Sequence, residues 1–319
     1  MNQQSSKIGL ILGQPSSLEV QSVYKEIIRQ QHIPIIVDTT QIPHRVNIEY
    51  HVNHGVMNLM VNQQWFTVSQ VTGVYWAQVE SPKPLNNQVQ GSGFLDEVVT
   101  NPSLDCACLM QMLFAMENLN WINSFQAIQF HRTKPMQLML AQKLGARIPH
   151  TYIGSKYESI KAFLKKHHQC IAKPVFAGGH TQLVSEEIRD LSSIQSWATQ
   201  PFTLQDFIPG QNIRTYIVGQ FLISGRIEEV YTNGKPNKVS DYREADSVKL
   251  IPIQIPLEIQ QLALRIMREF HMMYTAIDWR LTPTGEFVFL EANPAPLFVN
   301  AQTQLDVDLT RAIVDLMFA

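Results

Sequence analysis

A pair of carboxylates near the C-terminal end of the chain has a spacing that indicates metal chemistry. Asp278 and Glu291 lie in two apolar, strand-forming stretches that a Thr-Pro-Thr-Gly segment separates. If the turn is centred on Thr284 and Gly285, antiparallel pairing places Asp278 directly opposite Glu291. Opposed carboxylates on an apolar sheet repel each other and are costly to desolvate, so a cation should hold them together. Asn293 adds an amide oxygen on the same face, and an oxygen-only ligand set favours a hard ion such as Mg²⁺.

The alternative is a solvent-facing hairpin whose two acids never meet. A shift of one residue in the strand pairing would move one carboxylate to the other face of the sheet. The sequence alone leaves this alternative open.

Two lysines in apolar surroundings form a second candidate set, one that would bind an anion. Lys134 immediately precedes a predicted helix, and Lys173 lies near the end of a predicted strand. A loop of small residues that contains Gly178, Gly179 and His180 follows Lys173. A lysine beside such a loop can neutralise phosphate oxygens while backbone N–H groups approach them closely. Taken singly, a lysine is usually solvated and a Gly-Gly pair usually forms a turn, so neither feature is specific by itself.

A third candidate set consists of the arginines Arg214, Arg226 and Arg243, which lie in or beside predicted strands. An arginine always carries its charge, so a buried one needs an anionic partner. That partner is either an acid of the chain itself or an anionic substrate.

The elements that must position these residues follow two patterns. The opening third starts with an apolar run at 8–12, a helix preceded by Ser16 and Glu19 at capping-box spacing, and a second apolar run at 33–37. This β-α-β pattern predicts an α/β domain over residues 1–122.

The rest of the chain has an α+β pattern. A helix that begins at Pro135, with Met136 and Met139 on its predicted apolar face, precedes a small unit of the size of a lid. Hairpins then dominate, among them one with a Gly219-Gln220 turn, and a long amphipathic helix carries Ile259 and Ile266 on one stripe. We therefore predict a central lid over 123–200 and a C-terminal catalytic domain over 201–319.

Composition excludes several classes of protein. The chain has 319 residues, more than the roughly 250 to 300 at which single cores stop growing. Its 25 basic and 27 acidic residues give a net charge of −2, which argues against a nucleic-acid partner or an anionic membrane. Three cysteines cannot all pair, and the most apolar stretch, 106–116, is about half a membrane span, so we expect a cytoplasmic protein with reduced thiols.

Familiar catalytic motifs are missing from the sequence. It contains no Walker A, G-x-G-x-x-G, G-x-S-x-G or H-E-x-x-H pattern, which argues against P-loop ATPases, Rossmann oxidoreductases, esterases and zinc proteases. His51 and His54 have metal-ligand spacing, but no third ligand follows at a useful distance, so surface histidines are favoured.

The order of these features along the chain resembles that of the ATP-grasp ligases over about residues 120–319. Within that superfamily the chain is most similar to the group that contains the ribosomal-protein glutamate ligases and the graspetide (microviridin-type) peptide ligases. The matching segments are Lys134, Lys173, the loop at 177–181, 204–208, 212–214, 241–243, Asp278 and 291–293. Less specific N-terminal matches to the graspetide enzymes are at 38–43, 71–76, 121–123 and 145–151.

The resemblance implies an ATP-grasp fold with an N-terminal pre-ATP-grasp α/β domain, a central lid and a C-terminal catalytic domain. It also implies ATP and two Mg²⁺ ions as cofactors, and three sets of site residues. The implied nucleotide-binding residues are Lys134, Lys173, Gly178, Gly179, His180 and the interdomain hinge of Gln205, Asp206, Phe207 and Ile208; the implied catalytic residues are Arg214, Arg226 and Arg243; and the implied metal ligands are Asp278, Glu291 and Asn293. Within the hinge, Asp206 and the backbone of Ile208 would contact adenine.

The implied reaction is the activation of a carboxylate by ATP to an acyl phosphate, followed by attack of an amine and loss of phosphate. The substrate would be a peptide or an amino acid, and a homodimer is left open. Two alternatives stand beside this one: ester or amide macrocyclisation of a precursor peptide, and a regulatory protein that binds ATP without ligation. The chain departs from many of these relatives at Asn212, where they have an acidic residue.

Overall fold

The computed structural model describes residues 6–79, 102–176, 181–184, 195, 199–231 and 247–319. The chain divides into two compact units. The first comprises Met1–Phe125, Leu297–Gln302 and Val307–Ala319, and the second comprises Gln126–Pro296 and Thr303–Asp306. The three-part division at 122 and 200 stays a prediction.

The first unit contains a parallel sheet and a smaller antiparallel sheet. The parallel sheet has the order β2-β1-β6-β7, and the antiparallel sheet has the order β3-β4-β5. The strands are β1 (Ile8–Leu12), β2 (Ile33–Val37), β3 (Val46–His51), β4 (Val56–Val61), β5 (Gln64–Thr67), β6 (Val71–Trp76) and β7 (Asn120–Ile122). The helices are α1 (Leu18–Arg29), α2 (Pro102–Phe114) and α8 (Leu309–Met317). The predicted β-α-β start is confirmed.

The predicted capping box at the start of α1 is wrong. The N-cap residue is Ser17, and its side chain makes no capping hydrogen bond. Glu19 is buried, and its carboxylate accepts a hydrogen bond from the Phe298 backbone N–H at 3.3 Å. The other carboxylate oxygen of Glu19 accepts from Ser17 Oγ at 3.1 Å, so Glu19 is engaged both by the start of its own helix and by a distant part of the same unit.

The second unit contains two antiparallel sheets. A four-stranded sheet has the order β10-β9-β11-β8, and a five-stranded sheet has the order β14-β13-β12-β15-β16. The strands are β8 (Thr151–Gly154), β9 (Cys170–Lys173), β10 (Gln182–Leu183), β11 (Phe202–Asp206), β12 (Gln211–Val218), β13 (Phe221–Val230), β14 (Ser247–Pro252), β15 (Tyr274–Leu281) and β16 (Phe287–Asn293). The helices are α4 (Lys134–Lys143), α5 (Tyr157–Lys166) and α6 (Leu257–Glu269), and two more cross the division between the units, α3 (Phe125–Arg132) and α7 (Val299–Leu305).

One face of the five-stranded sheet is covered by α6. Leu262, Ile266 and Met267 of this helix are buried in one cluster with Ile213 and Ile277 of the sheet. The predicted amphipathic stripe and the two-residue Gly219-Gln220 turn are both confirmed, since Val218 pairs with Phe221. Because this face is filled with apolar side chains, polar residues of β12, β15 and β16 concentrate on the other face.

The predicted apolar face of α4, which also included Leu140 and Leu144, is confirmed only in part. Leu140 and Leu144 pack against the core, but Met136 and Met139 are 40% and 41% exposed, whereas Gln137, Leu138 and Ala141 are buried. The buried face is selected by hydrogen bonds that Gln137 makes to strand β16.

Membrane-spanning helices were sought in the part of the chain that the structure describes. No helix there has the length and apolar character that crossing a bilayer requires.

Candidate active site

The hairpin of β15 and β16 brings Asp278 and Glu291 directly opposite each other. The pairing is as the sequence predicts, but the predicted turn is wrong. Leu281 pairs with Phe287, and Gly285 donates its N–H to the Thr282 carbonyl at 2.9 Å. The turn is thus centred on Thr284 alone, and Gly285 adopts a left-handed conformation with φ +85°.

A β-bulge restores the predicted pairing. Trp279 pairs with Phe289 while its neighbour Asp278 pairs with Glu291, so Leu290 is the extra residue in β16. In the register that the turn imposes, Leu290 would lie opposite Asp278, and Glu291 would point to the other face of the sheet. The bulge is therefore what turns Glu291 towards Asp278.

Two cations flank this pair of carboxylates. Arg214 of β12 pairs with Asp278 of β15, so Arg214, Asp278 and Glu291 form one row across three strands. The Arg214 Nη1 atom is 3.4 Å from both carboxylate oxygens of Asp278. On the other side, Lys134 at the start of α4 donates a hydrogen bond to Glu291. All four of these side chains are at most a quarter exposed, at 13%, 12%, 18% and 25% for Arg214, Asp278, Lys134 and Glu291.

The charge on Glu291 is maintained by its neighbours. Burial raises the pKa of the Glu291 carboxyl, but the charge and hydrogen bond of Lys134, together with the charges of Lys173 and His131, outweigh that effect. The pKa of Glu291 therefore lies below its ordinary value. Glu291 is thus an anion in a largely buried position.

Asn293 completes the set of oxygen atoms on this side of the hairpin. It lies two residues after Glu291, and its Oδ1 atom accepts the Ala295 N–H at 3.0 Å. An amide oxygen has two lone pairs, so one stays available to a ligand. Two buried carboxylates and an amide oxygen are a donor set that fits Mg²⁺. No group of three or more His, Cys, Asp or Glu residues suited to a metal occurs among the described residues.

Helix α4 and the helix before it fix the backbone of β16. Gln137 donates to the Ala292 carbonyl at 2.8 Å and accepts the Ala292 N–H at 2.9 Å, while His131 Nδ1 lies 2.9 Å from the same carbonyl. Because β16 is an edge strand of the sheet, side chains take the place of a neighbouring strand. These contacts hold Ala292, which lies between Glu291 and Asn293. Sequence reasoning missed both Gln137 and His131.

Lys173 is tied to the end of strand β11. Its Nζ atom donates to Gln205 Oε1 at 3.0 Å, and Gln205 in turn donates to Thr151 Oγ1 at 2.9 Å. Gln205 is 1% exposed, so this lysine has a fixed anchor inside the four-stranded sheet. Lys134 and Lys173 are both close enough to Glu291 to lower its pKa.

The segment that joins the two sheets of this unit is held at Asp206 and Phe207. Asp206 accepts from His167 Nδ1 at 2.6 Å, and its own N–H donates to the His150 carbonyl at 2.9 Å. Phe207 N–H donates to the Gln169 carbonyl at 2.9 Å. The carboxylate of Asp206 is thus engaged within the unit. A role in which its side chain contacts adenine stays a prediction.

The structure does not bring Arg226 together with Arg214. Arg214 pairs with Gly225, so the next residue of β13 lies on the opposite face of the sheet, where Arg226 Nη2 is 2.6 Å from Glu228 Oε1. The remaining predicted site residues, Gly178, Gly179, His180 and Arg243, lie outside the described residues.

Arg280 is a third residue that sequence reasoning missed. It lies two residues after Asp278 on the same face of β15, and its Nε atom donates to the Ile208 carbonyl at 2.9 Å. Burial lowers the pKa of the guanidinium, an effect that Glu229 opposes. The only signal for Arg280 in the sequence was its position two residues after a predicted metal ligand, Asp278.

Comparisons with known proteins support one fold. No family model matches the chain. The alpha-aminoadipate–LysW ligase LysX of Sulfurisphaera tokodaii is 26% identical over 230 residues, which cover 67% of this chain and 78% of LysX. The macrocyclase MdnC of Microcystis aeruginosa MRC, solved with its precursor peptide MdnA, superposes with a TM-score of 0.80 and 22% identity over 97% of this chain and 99% of MdnC.

A second solved structure is the ATP-grasp ligase PsnB, complexed with a phosphomimetic variant of its minimal precursor, Mg and ADP. It has a TM-score of 0.76 and 20% identity over 98% of this chain and 97% of PsnB. These likenesses confirm the resemblance to the ATP-grasp ligases and the predicted α/β and α+β fold of that type.

Proposed function

We propose that this chain, which has the ATP-grasp fold, is an ATP- and Mg²⁺-dependent ligase that joins a carboxylate to an amine of a peptide or amino-acid substrate. The single observation that carries the proposal is the row of Arg214, Asp278 and Glu291, with Lys134 at its end. Four opposed charges in one largely buried row are costly to assemble for stability alone. They suit a site that must receive a polyphosphate and its metal.

In this proposal the basic residues bind the phosphates. Lys134 and Lys173 would contact the oxygens of the nucleotide, and Arg214 would stabilise charge on the reacting phosphate and carboxylate. Arg243 and the 178–181 loop belong to the same proposal on the resemblance alone. Arg226 does not, because it lies on the opposite face of the sheet.

Asp278, Glu291 and Asn293 would hold Mg²⁺. The resemblance to the ATP-grasp ligases implies that two ions bind. When bound, the metal supplies charge that offsets the repulsion between a carboxylate and a triphosphate. The chain's own contribution is to hold these ligands in place through the bulge at Leu290 and the contacts of Gln137. Positioning and charge stabilisation of this kind account for most of the catalysis in phosphoryl transfer.

The reaction that follows is carboxylate activation to an acyl phosphate, release of ADP, and displacement of phosphate by an amine. The test is ADP release from the purified chain with Mg²⁺ and ATP, in the presence of panels of amino acids and peptides. We expect release that depends on both a carboxylate and an acceptor. ADP release that no substrate of either kind stimulates, despite ATP binding, would support the alternative of a non-catalytic ATP-binding regulator.

A second candidate function is macrocyclisation of a precursor peptide through ester or amide links. The observation that favours it is the near-complete coverage of MdnC, a macrocyclase solved with its precursor peptide. Mass spectrometry separates the two candidates, since each intramolecular bond removes one water from the peptide, whereas ligation of a second molecule adds the mass of that molecule less one water. We also propose a cytoplasmic location, because Cys106, Cys108 and Cys170 are all free thiols. The oligomeric state is a matter for measurement.

A further inference from the structure

Arg280 makes three contacts with the segment between β11 and β12. Its Nε atom donates to the Ile208 carbonyl at 2.9 Å, and its Nη1 atom donates to Asn212 Oδ1 at 2.7 Å. Its guanidinium carbon lies 5.6 Å from the centre of the Phe207 ring, which is within the range of a cation–π contact. One planar group therefore holds two consecutive residues of the segment and the strand that follows it.

The position of Arg280 in the sheet gives these contacts a direction. Arg280 and Asp278 are two residues apart on β15. The segment leads into β12, and β12 pairs with β15 without interruption from Gln211 to Val218. The side chains of residues two apart on a regular strand share a face. A displacement of Phe207 and Ile208 relative to Asp278 would therefore break hydrogen bonds to Arg280.

The Ile208 carbonyl is held by the Arg280 Nε donor at 2.9 Å. Asn212 is fixed in turn, because its Nδ2 atom lies 3.4 Å from Glu229 Oε1. Asn212 orients the guanidinium through a neutral amide oxygen, so this contact does not neutralise the positive charge that Arg280 presents to the segment.

We propose that Arg280, oriented by Asn212, is a positioning residue that sets the distance between the adenine-binding segment at Phe207 and Ile208 and the metal-binding strand at Asp278. This inference rests on the proposed function, in which Asp278 binds Mg²⁺, and on the resemblance to the ATP-grasp ligases, which implies that the segment meets adenine. Arg280 acts through the segment and does not touch the reacting atoms. Its loss therefore weakens ATP binding and adenine selectivity more than it slows turnover at saturating ATP.

The test compares Arg280→Met, Arg280→Lys and Asn212→Ala with the wild-type chain. Arg268→Met is the matched control, because Arg268 also donates from Nε to a backbone carbonyl, that of Leu264 at 3.1 Å, but on an exposed helix surface. Calorimetric titration with Mg-ATP and Mg-GTP gives the two dissociation constants, and circular dichroism with thermal unfolding reports the folded fraction of each variant.

We expect Arg280→Met to weaken ATP binding by about tenfold, the size of one hydrogen bond to a charged group, and to narrow the preference for ATP over GTP. Arg280→Lys should recover part of the affinity, since it keeps the charge but loses the planar fork. Asn212→Ala should weaken binding in the wild type and have little further effect in Arg280→Met, because the two side chains act as one unit. The control should bind both nucleotides as the wild type does.

Each failure has a distinct signature. A folded wild-type chain that binds no Mg-ATP contradicts the proposed function itself. A wild-type chain that binds Mg-ATP, together with Arg280→Met or Arg280→Lys variants that keep the wild-type affinity and the wild-type ATP-to-GTP ratio, contradicts only the role of Arg280. If Arg280→Met does not fold, Arg280→Lys and Asn212→Ala decide the question, and additive effects of the two substitutions contradict the coupling.

Discussion

Lys134 donates a hydrogen bond to the carboxylate of Glu291, although 157 residues separate them in the chain. The contact joins the first residue of α4 to the edge strand of the five-stranded sheet. A lysine that contacts a candidate metal ligand connects the predicted phosphate-binding set with the predicted metal-binding set.

Replacement of Glu291 by glutamine should abolish most of the ADP-releasing activity. The substitution keeps the shape and one oxygen but removes the charge that a divalent ion requires, and we expect a loss of roughly 10²-fold or more in rate. Initial rates at saturating Mg²⁺ and ATP measure the loss. Glu286→Gln is the control, because Glu286 is an exposed carboxylate in the same hairpin that pairs with Arg147. Near-native turnover in Glu291→Gln would contradict the assigned metal ligand.

Lys134→Met should destabilise the protein in the absence of metal and nucleotide. The change leaves the Glu291 carboxylate largely buried without its closest cation, which costs about 1–3 kcal/mol of unfolding free energy. Addition of Glu291→Gln should reverse part of that cost, since the uncompensated charge is then gone. Urea unfolding of the two single variants and the double variant measures the coupling. Lys143→Met, at an exposed position of the same helix, serves as the reference substitution. Strictly additive effects would show that the contact carries no free energy.

Gln137→Ala should loosen the strand that carries the candidate metal ligands. It removes both hydrogen bonds to Ala292 and leaves a buried backbone N–H without that partner, at a cost of about 1–3 kcal/mol. Gln137→Glu keeps an acceptor for the N–H and loses the donor to the carbonyl, so its loss of unfolding free energy should be smaller near neutral pH. The exposed Gln142 of the same helix supplies the control, Gln142→Ala. Equal stability of the two alanine variants would contradict the role of Gln137.

The buried acid Glu26 should make the protein sensitive to acid. Arg29 Nε and Nη2 donate to its carboxylate at 2.6 Å and 2.7 Å. Burial raises the pKa of Glu26, but the hydrogen bonds from Arg29 and Gln30 act in the opposite direction. The net effect is a folded pKa below the ordinary 4.5. A carboxyl with a depressed folded pKa stabilises the fold above its unfolded pKa, and this contribution is lost as the pH falls through the folded value.

Unfolding free energies of the wild type and Glu26→Gln, measured by urea titration over a series of pH values, check this sign. The two curves should differ most above pH 4.5 and converge below it. Glu117→Gln, at an exposed position of the same unit, should shift the curve by a small constant amount. Curves for Glu26→Gln and the wild type that stay parallel into acid would contradict a depressed folded pKa.

Local patterns in the sequence determined much of the fold. The period-two and apolar strands, the stripe of α6 and the Gly219-Gln220 turn depend on residues that are neighbours in the chain, and each was predicted correctly. The resemblance to the ATP-grasp ligases also needed only the types and order of Lys134, Lys173, Arg214, Asp278 and Glu291. The implied chemistry requires these residue types, and they can be read from the sequence without the fold.

Tertiary structure decided what depends on distant contacts. The bulge at Leu290 offset a turn that the sequence analysis had placed incorrectly, and a bulge is selected by packing against both neighbours of a strand. The buried face of α4 followed the hydrogen bonds of Gln137 to β16, and hydrophobic spacing alone wrongly placed Met136 and Met139 on that face. Arg280 and Arg226 look alike in sequence, but strand register places one beside Ile208 and the other on the opposite face of the sheet. The sequence by itself thus determined which chemical groups the protein carries and in what order, whereas the tertiary structure decided which of them meet, because register and packing are set by residues far apart in the chain.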